Sequence, residues 1–295
     1  MPHLPQGHNL SESEFTILRD LIHDRTGLYF ENGKRQLLAD KLSSRMLERQ
    51  FRAFIDYYYL LRFGPGAEEE WKHVLDALSV QETYFWREMD QIRALVDFIA
   101  PRHFAGICVN PLRIWSAACA TGEEPLTIAM ALDQAGWFER GPIEIMASDG
   151  SRAALAKAEQ GTYRERSFRA LPTSLRDRYF KPTADGWQVD PDLQQRVKWH
   201  HANLMDRQQI AARRPVHVIF CRNVFIYFSD DAIQRTLREF YDGLVAPGHL
   251  FVGVSESLLR FKHAFELQEL GDAFVYVKPL VVKSPVVKPP VVKEN

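Results

Sequence analysis

Residues 112–135 read LRIWSAACATGEEPLTIAMALDQA. An apolar run (Leu112, Ile114, Trp115) passes into small residues, then into Thr121-Gly122-Glu123-Glu124-Pro125 and an amphipathic stretch. That order predicts a strand, a tight turn and a helix, with Pro125 in the first helical turn, where a missing N–H costs nothing. An acid, Asp149, stands 27 residues beyond Gly122, at the end of a second apolar run. In a doubly wound sheet such a turn lets a ligand approach the backbone, and such an acid accepts hydrogen bonds from ribose hydroxyls. This turn carries two carboxylates, Glu123 and Glu124, which repel a pyrophosphate and suit a ligand with a cationic end. S-adenosylmethionine, an adenosine bearing a sulfonium and an ammonium, fits that charge pattern.

Downstream, strands alternate with helices. Strands are expected at Leu112–Ala117, Ile143–Ser148, Val216–Cys221 and His249–Ser255, and helices at Glu124–Ala135, Arg152–Gln160 and Asp230–Leu244. The alternation predicts a parallel sheet with helices on both faces. Glu266–Leu270 and Ala273–Val277 flank Gly271-Asp272 and read as a terminal hairpin. Residues 163–197 break the pattern with Pro172, Pro182, Pro191 and an Asp185-Gly186 turn, which reads as a small antiparallel β insertion, either a surface excursion or a partner-docking flap. Upstream, residues 10–100 read as all helical: Glu12–Thr26, 34–50, Phe54–Phe63, Glu68–Leu78, and Tyr84–Ala100 closed by Pro101. The division expected is a helical domain at 10–100, a sheet domain at 101–280, and a disordered tail at 281–295. That tail, VVKSPVVKPPVVKEN, repeats a five-residue unit that favours extended backbone and builds no core.

The chain has 295 residues, 46% of them hydrophobic, enough to bury a core. No apolar run approaches a membrane span, and the N-terminus lacks the pattern of a signal peptide. Cys108, Cys119 and Cys221 match no disulfide or metal spacing. The expectation is a cytoplasmic protein with reduced thiols, no metal and no membrane insertion. A net charge of −1 argues against an overall grip on nucleic acid.

Three further segments carry candidate chemistry. In Gln81–Glu88 (QETYFWRE), Thr83 and Arg87 are four apart, one face of a helix start, behind a wall of aromatics. In residues 217–228 (HVIFCRNVFIYF), a buried strand delivers Arg222 and Asn223 to its carboxyl end, where ligands bind in open α/β sheets, and Tyr227 follows. Between Glu31 and Arg52, Lys41, Arg45 and Arg49 recur every four residues as a basic stripe, either a solvated face or a docking surface for an acidic helix. His200-His201 has no acid or cysteine at metal spacing, and Ser255-Glu256-Ser257 reads as a cap or loop near the pocket.

Together, ETYFWRE, WSAACATGEEP, ASD, Asn203-Leu204, IFCRNVFIYF and PGHLFVGVSES appear in the order of the chemotaxis receptor glutamate methyltransferases, the CheR family, which the chain resembles over roughly residues 10–280. The resemblance implies an all-α N-terminal domain, a Rossmann-like methyltransferase domain with an inserted β subdomain, and S-adenosylmethionine as methyl donor. It implies glutamate side chains in the cytoplasmic helical region of chemoreceptors as acceptors. Cofactor contacts are then expected at Gln81, Thr83, Arg87, Glu123, Glu124, Asp149, Asn203, Leu204, Arg222 and Asn223. Arg87 and Tyr227 are expected to assist transfer, and Lys41, Arg45 and Arg49 to meet the receptor. The chain departs from the family where Gln81 replaces a shorter asparagine, Ser151 a second acid and Trp86 a phenylalanine.

Other classes fit less well. A nucleic-acid amine methyltransferase would carry an Asn/Asp-Pro-Pro-aromatic motif, which is absent. A nicotinamide dehydrogenase would carry Gly-x-Gly-x-x-Gly in a turn without acids. A non-catalytic module that senses S-adenosylmethionine would keep the pocket and lack transfer.

Overall fold

Ser11 and Glu14 begin the chain's first helix by capping each other. The Ser11 hydroxyl accepts from the Glu14 N–H at 3.3 Å, and the Glu14 carboxylate reaches back to the Ser11 N–H at 2.9 Å. The computed structural model describes residues 10–105 and 110–280. The expected tail at 281–295, the first nine residues and Cys108 lie outside the described residues.

Helix α1 (Glu12–Thr26) ends on Gly27 at φ 77° and is followed by α2 (Arg35–Glu48), α3 (Phe54–Phe63) and α4 (Ala67–Leu78). Their apolar stripes meet at Leu18, Ile22, Leu38, Leu42, Met46, Tyr57 and Val74, all fully buried. A buried acid sits inside this bundle. Glu70 accepts from Arg45 Nε and Nη2 at 2.6 and 2.7 Å and from the Tyr57 hydroxyl at 2.7 Å. Burial works to raise the Glu70 carboxyl, yet the Arg45 fork and the Tyr57 hydroxyl hold it below its ordinary value.

The single helix expected over 84–100 does not form. Trp86 and Glu88 adopt φ of 70° and 52°, left-handed values that end any helix. Residues 85–88 therefore make a turn, and α5 begins only at Met89 (Met89–Ala94). It runs through a π-type segment (Leu95–Ile99) into α6 (Ala100–Phe104), so Pro101 lies inside the helix, in the first turn of α6.

The sheet domain follows as β1 (Leu112–Ala117), α7 (Glu123–Gln134), α8 (Trp137–Arg140), β2 (Ile143–Asp149) and α9 (Arg152–Gln160). The inserted region comprises β3 (Thr162–Tyr163), α10 (Thr173–Tyr179), β4 (Phe180–Thr183), β5 (Gly186–Val189) and α11 (Pro191–Gln195). The main sheet resumes with β6 (Val197–His201), α12 (Arg207–Ala211), β7 (Val216–Cys221), α13 (Asp230–Gly243), β8 (Leu244–Val252), β9 (Glu266–Leu270) and β10 (Ala273–Lys278). Seven strands lie in the order β6-β2-β1-β7-β8-β10-β9, parallel except for the terminal hairpin. The expected insertion is real: β3, β5 and β4 form a separate antiparallel sheet.

The last parallel strand runs Leu244–Val252 and not His249–Ser255, and β6 is an unforeseen edge strand beside β2. The insertion is also not a free flap. Phe85 is fully buried in its aromatic core, with ring centroids 4.8, 5.2 and 5.0 Å from Tyr163, Phe168 and Phe180.

The helical domain is latched onto the sheet domain at the carboxyl edge of the parallel strands. The Tyr29 N–H donates to the Tyr227 carbonyl at 2.9 Å, and Leu28 forms a bridge with Phe228. The Asn203 amide donates to the Arg25 carbonyl at 2.8 Å, and Asp76 of α4 accepts from Ser151 Oγ at 2.7 Å and Ala153 N–H at 3.1 Å, capping α9. Gly27 is required at the latch, since a Cβ there would sit 2.9 Å from both Met205 Sδ and Phe228 Cε2.

Candidate functional site

The parallel strands β1, β2 and β7 end at one edge, and the residues after each end (Ala118–Ala120, Gly150, Arg222–Val224) line a single cavity open to solvent. Thr26 and Leu28 from the helical domain close its other side.

The turn after β1 is built to expose backbone. Ala118, Ala120 and Gly122 have φ of 63°, 48° and 96°. The two alanines hold a conformation that costs on the order of 1–3 kcal/mol each, a strain typical of ligand-binding turns. A Cβ on Gly122 would meet Ala158 Cβ and Trp199 Cη2 at 2.9 Å. The turn is pinned to β2: the Ala120 N–H donates to Asp149 Oδ2 at 2.9 Å, and the Ser151 N–H to Oδ1 at 2.8 Å. Asp149 thus lines the cavity with its orientation fixed and its remaining lone pairs available. Ser151, where a second acid was expected from the family pattern, instead caps α9 through its hydroxyl, which accepts from the Ala154 N–H at 3.0 Å.

The two turn glutamates part company. Glu124 lines the cavity, accepts from the Ser116 hydroxyl at 2.7 Å and faces Arg222 Nη1 at 3.4 Å. Glu123 turns away: its carboxylate accepts from the Thr121 and Ser167 hydroxyls at 2.6 and 2.9 Å and ties α7 to the inserted subdomain. The expected cofactor contact at Glu123 is therefore not placed at the cavity. Burial pushes the Glu123, Glu124 and Asp149 carboxyls above their usual range, with hydrogen bonds opposing it at all three and the Arg222 guanidinium at Glu124. A cavity lined by Glu124 and Asp149, buried acids with incomplete cationic compensation, suits a cationic ligand, which would restore their charge.

Arg222 is the hub of the site. Its side chain is 2% exposed, donates from Nη2 to the Arg87 carbonyl at 2.6 Å, and lies between Glu88 (3.3 Å) and Glu124 (3.4 Å). Asn223 holds a left-handed φ of 59° beside it, and its amide points to Glu88 at 3.5 Å. Arg87 and Thr83 both line the cavity, Arg87 from the turn and Thr83 from the irregular segment before it, and neither from a helix face. Among the described residues the Arg87 guanidinium has only long contacts, to the Glu82 carbonyl at 3.3 Å and Glu88 at 3.6 Å, above the Tyr84 ring. Tyr227 stands at the mouth, more than a third exposed, in a 3₁₀ turn (Phe225–Tyr227) before α13, not at the helix start.

Gln81 and Leu204 line the cavity as expected; the Gln81 amide lies between Ser151 Oγ (3.5 Å) and Lys157 Nζ (3.1 Å). Asn203 also lines it, but its side chain is committed to the Arg25 carbonyl and the Met205 N–H, so its amide serves the latch between domains.

The basic stripe is mostly not a surface. Lys41 donates to the Ala77 and Leu78 carbonyls, and Arg45 is locked on Glu70. Leu38, Leu42 and Met46 fill the core side of α2, and the stripe lies one residue short of that row, along the boundary where α4 packs. Of the three, only Arg49 is largely exposed, at 3.3 Å from Glu70.

Sequence reasoning passed over Glu88 and gave Glu256 only a generic place near the pocket. Glu88 was inside the quoted QETYFWRE, yet the helical reading hid its left-handed backbone. Glu256 follows a glycine-ended strand, Gly253 being the only signal of a close approach.

Residues 13–79 match the family described as CheR methyltransferase, all-alpha domain, and residues 81–274 the one described as CheR methyltransferase, SAM binding domain. The chain is 37% identical over 281 residues to chemotaxis protein methyltransferase 2 of Vibrio cholerae, covering 93% of this chain and 96% of that one. It is 33% identical to the chemotaxis protein methyltransferase of Klebsiella aerogenes (88% of each) and 32% identical to that of Escherichia coli (88% and 89%). Among the described residues no helix is long and apolar enough to cross a membrane.

Proposed function

The chain belongs to the CheR methyltransferase family and uses S-adenosylmethionine; from that premise we propose that it methylates glutamate side chains in the helical cytoplasmic region of chemotaxis receptors, giving glutamate methyl esters and S-adenosylhomocysteine. The observation that carries the reading is the cavity itself: an acid at the end of β2 (Asp149), a second buried acid (Glu124), and a half-exposed tyrosine (Tyr227) on a cavity open to solvent. When bound, the cofactor supplies an activated methyl group on a sulfonium.

The chain's own residues supply placement. A glutamate has an ordinary pKa of ~4.3, so the acceptor is already an anion at neutral pH and no strong base is needed. What remains is alignment and removal of water, which together are worth up to ~7–11 kcal/mol in favourable cases. Tyr227, at the exposed rim of the cavity, donates one hydrogen bond to the incoming carboxylate in this reading. Arg87, loosely held and rooted beside Arg222, orients either that carboxylate or the donor's own. Asp149 and Glu124 hold the ribose and the cationic end.

The test is to incubate the protein with methyl-labelled S-adenosylmethionine and a cytoplasmic receptor fragment. Label released as methanol in mild base and mapped to glutamates is the expected result; label in any other linkage would refute the assignment. In that assay Arg87→Ala is expected to lower kcat by about 100-fold, as loss of an orienting contact does, with thermal stability unchanged. Near-normal turnover would remove Arg87 from the mechanism.

Receptor docking is assigned to the exposed part of the basic face, Arg49 with its neighbour Arg52. Arg49→Glu is expected to raise the KM for receptor severalfold, more at low salt, while S-adenosylhomocysteine affinity measured by calorimetry stays constant. An unchanged KM would leave this face without a docking role.

A further inference from the structure

Glu256 is 8% exposed and lies outside the cofactor cavity, lining a second groove on the far side of the Arg222–Tyr227 turn. No arginine, lysine or histidine lies within ion-pair distance of it among the described residues. Its partners are backbone amides. Oε2 accepts from the Asn223 N–H and the Gly253 N–H, both at 2.7 Å, and Oε1 accepts from the Ile226 N–H at 3.2 Å. Asn223 and Ile226 bracket the turn: the first is the strained residue next to Arg222, the second the residue before Tyr227. The fit is close. A Cβ on Gly253 would fall 2.6 Å from Asn223 Nδ2 and 2.8 Å from Glu256 Oε2.

We propose that Glu256 is a positioning residue for methyl transfer, one that sets the turn bearing Asn223 and Tyr227 by gathering three backbone amides on one buried carboxylate. The proposal rests on the function given above. Arg222 does not depend on Glu256 for its place, since Glu88, Glu124 and the Arg87 carbonyl hold its guanidinium. Asp149 and the turn after β1 are likewise anchored elsewhere. Loss of the Glu256 carboxylate therefore falls mainly on the acceptor side: Tyr227 loses its reference point, while on the cofactor side only Asn223 loses an anchor and Arg222, Asp149 and the turn after β1 keep theirs. A shift of about 1 Å at a reacting group is enough to cost on the order of 100-fold in rate.

The experiment uses the full chain in three forms, Glu256→Ala, Glu256→Gln and Gly253→Ala. Measured are kcat and KM with the receptor fragment, S-adenosylhomocysteine affinity by calorimetry, and amide hydrogen exchange over residues 222–228. Glu256→Ala is expected to lower kcat by about 100-fold, to leave S-adenosylhomocysteine affinity within about threefold, and to speed exchange across 222–228. Glu256→Gln keeps one oxygen but turns an N–H toward a donor, so its loss is intermediate, about 10-fold. Gly253→Ala reproduces the kinetic defect with the carboxylate still present. The proposal is overturned if kcat of Glu256→Ala stays within threefold of the native value, or if kcat and cofactor affinity fall together. If the native protein leaves the fragment unmethylated, the proposed function fails, and exchange over 222–228 decides the positioning: unchanged protection in Glu256→Ala overturns it.

Discussion

Arg222→Ala is expected to destabilise the chain by about 3–5 kcal/mol, the usual cost of removing one partner from a buried ionic cluster, and to abolish cofactor binding. The guanidinium stands between Glu88 and Glu124 and also serves the Arg87 carbonyl. Without it, two enclosed carboxylates face each other with no cation between them. A loss of that size lowers Tm by roughly 10 °C in a chain of this length, which calorimetry would register. The pH dependence has a definite sign. Burial already raises the Glu124 carboxyl, and Arg222 is the main influence holding it down. In the variant it rises further, so its protonated form belongs to the folded state. Stability is then retained in acid and lost as pH climbs through the raised value. Adding Glu124→Gln removes the orphaned charge and is expected to restore much of the Tm while leaving S-adenosylhomocysteine unbound. A Tm within about 2 °C of native for Arg222→Ala alone would show that the cluster carries little of the fold's stability. Arg222→Lys should fall between, because an ammonium cannot reach two acids and a carbonyl with one rigid fork.

Local chemistry made the cofactor half of this arrangement legible in the sequence. Gly122 and Pro125 can stand where they do only in a strand–turn–helix, and Asp149 marks the next strand end. The strands at Leu112–Ala117 and Val216–Cys221 and the helices at Glu12–Thr26, Phe54–Phe63 and Arg152–Gln160 have clean apolar periods and termini, so they appear at the expected bounds. Failures came where long-range contacts override local pattern. Val197–His201 reads VKWHH, an alternation with only two apolar residues, Val197 and Trp199, and becomes a strand because β2 offers it a parallel edge. Residues 84–88 have ordinary helical spacing, yet Phe85 is drawn into the inserted subdomain and Trp86 and Glu88 are forced left-handed. The period of Lys41, Arg45 and Arg49 was correct; which side of α2 faces α4 is set by Glu70, 25 residues beyond Arg45. Spacing gives a face, and only packing says whether that face meets water.

Asp149→Ala is the second large effect, and it falls on affinity. The carboxylate orients the turn after β1 through the Ala120 N–H, and in the function proposed above it accepts from the ribose hydroxyls. Hydrogen bonds to a charged acceptor are worth about 1.5–3 kcal/mol each, so loss of the ribose contacts alone predicts an S-adenosylhomocysteine affinity weaker by about 100-fold. Slackening of the turn adds to this, because Ala118 and Ala120 keep their left-handed backbone only while something holds them. Asp149→Asn separates the two contributions. It keeps one acceptor oxygen, but its amide N–H must face either the Ala120 or the Ser151 donor, so the turn is disturbed while the side chain's size is unchanged. Adenosine and methionine, titrated separately as competitors, locate the loss: adenosine should weaken with the full analogue, and methionine, which the proposed function assigns to Glu124 and the Arg87 side of the cavity, should not. At saturating donor the rate should recover to within about tenfold, since Asp149 does not touch the transferring group and acts through uniform binding. Equal weakening of adenosine and methionine would mean that Asp149 supports the whole cavity wall and does not read the ribose.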